Sequence, residues 1–129
     1  MTSPFGTQGS APAMEQKARE LGRLIGQSSE YQALKRANEN LSADREAATV
    51  LNRMTELRMQ AQSMMERGEE PSPDMERALD ALLTKVQVLP TYQRAVTSQE
   101  NFDKTMVHVN NWIADGIKSG ATSSIITLG

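Results

Sequence analysis

The chain has no cysteine, a single histidine, a single tryptophan and no apolar run near the roughly 20 residues that a membrane helix requires. Without cysteine there is no disulfide, no thiolate metal ligand and no cysteine nucleophile, which fits a reducing compartment. The lone His108 has Lys104, Thr105, Asn111 and Trp112 at helical spacing. Neither a carboxylate nor a second imidazole shares its face to hold a metal, so an exposed, functionally silent histidine is expected. Aromatic residues make up 4% and apolar residues 38%, which suits slender helices better than a thick core. A net charge of −2 leaves no basic excess to draw nucleic acid or an anionic membrane. The first twenty residues lack a basic segment followed by an apolar one, so no secretory signal is expected. Gly116-Ile117-Lys118-Ser119-Gly120 has the wrong order for a phosphate loop, and no strand precedes it. No acid–base pair, nucleophile triad or dinucleotide fingerprint is present. A cytoplasmic protein without enzyme activity, metal or cofactor follows as the expectation.

What the chain does have is helical periodicity. Over residues 42–67, Ala47, Val50, Met54, Leu57, Ala61 and Met64 alternate in steps of three and four, with Leu51 and Met65 widening the stripe. Ser42 is a capping type at its start, and Gly68 suits the left-handed residue at its end. Such a helix, about 36–40 Å long, is marginal alone and needs partners. Earlier, Ala18, Leu21, Leu24, Ile25 and Ser28 mark a helical face, as do Tyr31, Leu34, Ala37 and Leu41. Spacing alone leaves open whether 14–41 is one rod or two, broken near Ser28. Ser72 and Pro73 predict the start of a further helix carrying Met75, Ala78, Leu79, Leu82, Leu83, Val86 and Leu89, which stops before Pro90. A last seam runs through Tyr92, Ala95, Gln99, Phe102, Met106, Val109, Ile113 and Gly116, ending at Ser119-Gly120. Gln99 in that seam either sets register or faces water. The two long seams are natural antiparallel partners. The expected fold is all-α, an elongated antiparallel bundle of about four helices that is homo-oligomeric. Residues 1–12 are expected as a disordered leader, 13–119 as the helical domain and 120–129 as a flexible tail.

Several residues want neighbours that this scheme does not supply. Gly22 and Gly26 each cost a helix about 1 kcal/mol but allow a second backbone to approach. Met59 lies opposite the central seam, where it suits an oligomer contact. Trp112 flanks the last seam, either as an interface anchor or as the edge of the bundle. The carboxylates Glu66, Glu69, Glu70 and Asp74 crowd the turn at Gly68, with Glu76 and Asp80 beyond. Their spacing does not match a calcium loop, and an acidic docking patch is the functional alternative to a solvated turn. Arg45, Arg53, Arg58 and Arg67 on the central helix offer a second reading, nucleic-acid association, if assembly brings them together.

Ala18, Leu21, Ile25, Ser28, Glu30-Tyr31 and Leu34-Lys35 in this order, then Asp44-x-Glu46-Ala47, Gly68-Glu69-Glu70, and Tyr92-x-x-Ala95 with Glu100 and Phe102, resemble the YlbF/YmcA/YheA family of small bacterial helical proteins over residues 14–118. The resemblance implies an all-helical fold of about four helices that forms homodimers or larger assemblies. It also implies a regulatory or scaffolding role, without catalytic residues. Partners implied are a second copy, other family members, or a cytoplasmic complex that steers RNA processing and development. Members of that complex can carry a cysteine-rich tail associated with an iron–sulfur cluster. This chain has no cysteine and resembles the YheA-like branch more closely.

Overall fold

The computed structural model describes the backbone of residues 4–128 and the side chains of residues 10–122. Among the described residues there are five helices and no strand: α1 (Pro4–Gln27), α2 (Ser29–Ala43), α3 (Arg45–Glu66), α4 (Pro73–Gln87) and α5 (Pro90–Leu128). The fifth helix arises because the 14–41 region is two rods. Ser28 takes an extended conformation and accepts the Tyr31 N–H on its hydroxyl, which itself donates to the Ile25 carbonyl at 2.6 Å. One side chain thus ends α1 and starts α2.

At Gly68 the backbone has φ of +79°, where a side chain would be strained. The Glu69 N–H reaches back to the Met64 carbonyl at 2.8 Å and closes α3. Ser72 then accepts the Met75 N–H, Pro73 opens α4, and Asp74 and Glu76 lie at its positive end. The expected cap Ser42 instead lies inside α2, and α3 is capped two residues later by Asp44, which accepts the Ala47 N–H. A carboxylate makes the stronger, charge-assisted cap, and α2 gains by running on past its half-buried Leu41. The backbone also stays helical across both expected outer limits. α1 begins at Pro4 and contains Pro12, and α5 passes through Ser119-Gly120 to Leu128. Glycine disfavours a helix without forbidding it, and the Thr122 hydroxyl donates to the Lys118 carbonyl in that stretch.

The α3 seam packs as its spacing predicts. Ala47, Val50, Met54 and Leu57 are buried, while Ala61, Met64 and Leu51 are half-buried. Met65, expected to widen the stripe, is exposed. The partners differ from expectation. α3 lies mainly against α4, where Val50 and Met54 meet the fully buried Val86, surrounded by Leu51, Leu79, Leu82, Leu83, Leu89 and Tyr92. α5 packs most extensively on α2. That pair is antiparallel, because Tyr31 meets Phe102 edge-on at 5.5 Å while Asp44 meets Thr91. Leu34, Ala37 and Ala95 are buried on these two helices. The short α3–α4 turn makes those helices neighbours, which leaves α5 for α2. Gln99 is exposed and donates to Asp103 at 2.9 Å, and Ser98 takes the half-buried position beside it.

Met54→Ala should cost about 2–5 kcal/mol, the range for emptying a buried methionine site. Met59→Ala, on the open side of the same helix, should stay within about 0.5 kcal/mol of the parent. Urea denaturation followed by circular dichroism measures both.

Candidate functional site

Three helices meet at the joint between α2 and α3. The Asp44 N–H donates to the Asn40 and Leu41 carbonyls, ending α2. Its Oδ1 accepts the Ala47 N–H at 3.2 Å, starting α3, and its Oδ2 accepts the Thr91 hydroxyl at 2.7 Å, from the first turn of α5. The Thr91 hydroxyl and then the backbone N–H groups hold the Asp44 carboxyl below its ordinary value. With this joint fixed, α2 and α5 run antiparallel. α1 reaches the pair, and α5 leaves it, at the same far end, where Tyr31 touches Phe102.

Past that end cover continues as far as Val109 on α5 and the half-buried Leu21 and Ile25 on α1, and farther out both helices lose it. α1 makes its extensive contacts with α2 alone, and Met14 and Leu24 are each 65% exposed. On α5 the seam is buried at Val109, but Ile113 and Ile117 on the same stripe are exposed, as are the flanking Val107 and Trp112. Trp112 is 65% exposed and stacks on the His108 ring, with centroids 6.1 Å apart and planes 24° from parallel. The chain exposes 9723 Å² in all, whereas a compact chain of 14.2 kDa exposes about 6,800 Å².

The residues expected at an interface do not form one surface within a single copy. Gly22 and Gly26 lie on α1, and a Cβ at either would meet no atom within 4 Å, so no second backbone approaches them. Met59, 64% exposed, lies on α3 beside Gln60, Ser63, Met64 and Arg67 along an open groove. α3 is not among the extensive partners of α1 or α5, so Met59 stands apart from Trp112. In the acidic turn Glu69 pairs with Arg67, Asp74 pairs with Arg77, and Glu66 accepts from the Gln62 amide. Among the described residues no three acidic or imidazole groups converge as a ligand set for a metal. Arg53 of α3 is paired with Glu56, and Arg67 at the α3 C-cap with Glu69, which leaves Arg45 and Arg58 of the expected arginine face unpaired. The concave surfaces are open grooves of about 350–620 Å³ rather than enclosed cavities.

Sequence spacing missed the Asp44–Thr91 link and a groove between α2 and α5 flanked by Arg36 and Arg94. A signal for the groove is present in hindsight: Ala33, Ala37 and Asn40 repeat at helical spacing, small and polar where a seam would be large. Among the described residues no helix is long and apolar enough to cross a membrane.

A small all-α protein with open grooves and two helical arms lacking cover is the class that this geometry defines. The chain belongs to the family described as control of competence regulator ComK, YlbF/YmcA, whose model matches residues 14–118. It is similar to a UPF0342 protein of Streptococcus mutans serotype c, with 30% identity over 83 residues, 64% of this chain and 74% of the relative. It is also similar to a UPF0342 protein of Desulfitobacterium hafniense, with 26% identity over 102 residues, 79% of this chain and 78% of the relative. Membership in this family supports a regulatory role.

Thr91→Val tests the joint. Because the folded Asp44 carboxyl titrates below its ordinary 3.8, the link stabilises fully above that value and is lost as pH falls through the lower folded value. The variant should therefore unfold at lower urea than the parent at neutral pH, with a smaller difference at a pH below 3.8. Urea midpoints at the two pH values check this.

Proposed function

We propose that the protein is a non-enzymatic adaptor that works as a pair of copies and regulates by protein–protein contact. The observation that carries this reading is the pair of uncovered arms. Distal α5 has a seam that is buried at Val109 and continues outward through Ile113 and Ile117. α1 presents Met14 along its outer half and Leu24 in its last turn, at the same end of the molecule. A lone helix of this kind is marginal in water, and aromatic and aliphatic groups this exposed favour association. A second copy supplies the same two stripes, so α1 of each copy can lie along distal α5 of the other in a closed, two-fold arrangement. A standard interface buries about 1,600 Å² in total. Gly22 and Gly26, with open space above them, lie two positions either side of Leu24, on the opposite face of α1.

In the same reading the core of α2, α3 and α4 displays the client-facing surfaces, including the acidic turn and Met59. The protein acts as a cytoplasmic regulator of the YheA-like branch, in RNA processing or development. The absence of cysteine supports that branch over cluster-bearing relatives.

Size-exclusion chromatography with light scattering tests the pairing. The parent should have at least twice the 14.2 kDa chain mass. Trp112→Glu combined with Ile117→Glu should weaken association by roughly a hundredfold with helicity retained, because both side chains are exposed in a single copy. A parent that is monomeric at every concentration, or variants that associate like the parent, would overturn the proposal.

A further inference from the structure

The groove between α2 and α5 has a chemistry of its own, separate from the arms. It is an open groove of about 450 Å³. Its floor is small, with Ala33 and Ala37 one turn apart on α2. Arg36 rises from α2 and Arg94 from α5, one from each helix. Neither is in an ion pair, which is equally true of Arg23, Lys35, Arg45, Arg58, Lys85, Lys104 and Lys118; their shared place on one groove sets the pair apart. Asn40 and Thr97 add uncharged donors, and no acidic residue lines the groove. On a chain with more acids than bases, two free guanidinium groups over an acid-free groove favour an anionic occupant.

We infer that this groove binds an acidic helical segment of a partner protein, with its carboxylates between Arg36 and Arg94. The junction of two antiparallel helices is a seat for a third helix, and small residues at its floor let that helix approach closely. Two arginines match a short acidic stretch. A nucleic acid would bring many phosphates to a chain of net charge −2, and no aromatic side chain lines the groove for a base to stack on. The inference rests on the adaptor reading and names the chemistry of the client.

The test is titration of the isotope-labelled full chain, followed by nuclear magnetic resonance. The probe is an alanine-based helical peptide with glutamates four residues apart. Its glutamine counterpart, inorganic pyrophosphate and a single-stranded RNA oligonucleotide serve as comparisons. The glutamate peptide should shift the side-chain Nε–H signals of Arg36 and Arg94 and the amides of Ala37 and Thr97. Arg36→Ala with Arg94→Ala should weaken it roughly tenfold or more. Lys85→Ala with Lys104→Ala removes the same charge from unpaired cations outside the groove and should weaken it by less than about threefold. Any of four results overturns the inference: no shift in the groove, equal binding of the glutamine peptide, equal losses in the two double variants, or tighter occupation by pyrophosphate or RNA. Light scattering on the same variants keeps the two readings apart. A groove that fails while the mass stays at two copies rejects the acidic helix and leaves the pairing standing, and a monomeric mass rejects the pairing itself.

Discussion

Asp44 is the point from which the architecture is set. Its backbone N–H ends α2, one carboxylate oxygen starts α3, and the other holds Thr91 at the first turn of α5. A neutral cap could start α3, but it would lack the second acceptor oxygen that ties in α5. The consequences are geometric. With the start of α5 held at the end of α2, the two helices run antiparallel along their length until α2 runs out near Tyr31 and Phe102. α5 has 39 residues and α2 has 15, so most of the length of α5 must extend past its partner.

That difference in length separates core from surface. Near the joint, α3 and α4 close over Val50, Met54 and Val86, with Tyr92 bringing α5 into contact with the cluster. Past Val109 the seam of α5 continues without cover, and α1 departs from the same end after the break at Ser28. Gly22, Gly26 and Trp112 all fall on these arms, away from any residue that would explain them within one copy. In the proposed pairing the arms address a second copy, and in the proposed docking the α2–α5 groove addresses a different partner.

Local devices were legible in the sequence because their causes are local. Ser28, Gly68, Ser72 and Pro73 end or start helices through groups within five residues of themselves, and the stripe from Ala47 to Met64 shows its burial in its spacing. Choices made by distant residues were hidden. Ser42 and Asp44 are both capping types two positions apart, and Thr91, 47 residues from Asp44, adds a hydroxyl that only Asp44 receives. The pairing of α5 with α2 rather than α3 was equally hidden, since two heptad seams of like residues are interchangeable on paper. Gly22, Met59 and Trp112 are exposed and Gly26 is half-buried, which the sequence could suggest for Trp112 and Met59 but could not locate relative to one another. Arg36 and Arg94 carry no signal until the fold brings α2 and α5 together.

The central claim is that a second copy covers the arms. Amide hydrogen exchange across residues 110–122, followed as a function of protein concentration, tests it most directly. In a single copy this stretch is a helix without tertiary cover and exchanges within the range of a fraying segment. The account predicts that its protection rises with concentration and approaches that of the α3 amides around Val50 and Met54. Exchange in 110–122 that stays fast at every concentration would contradict it.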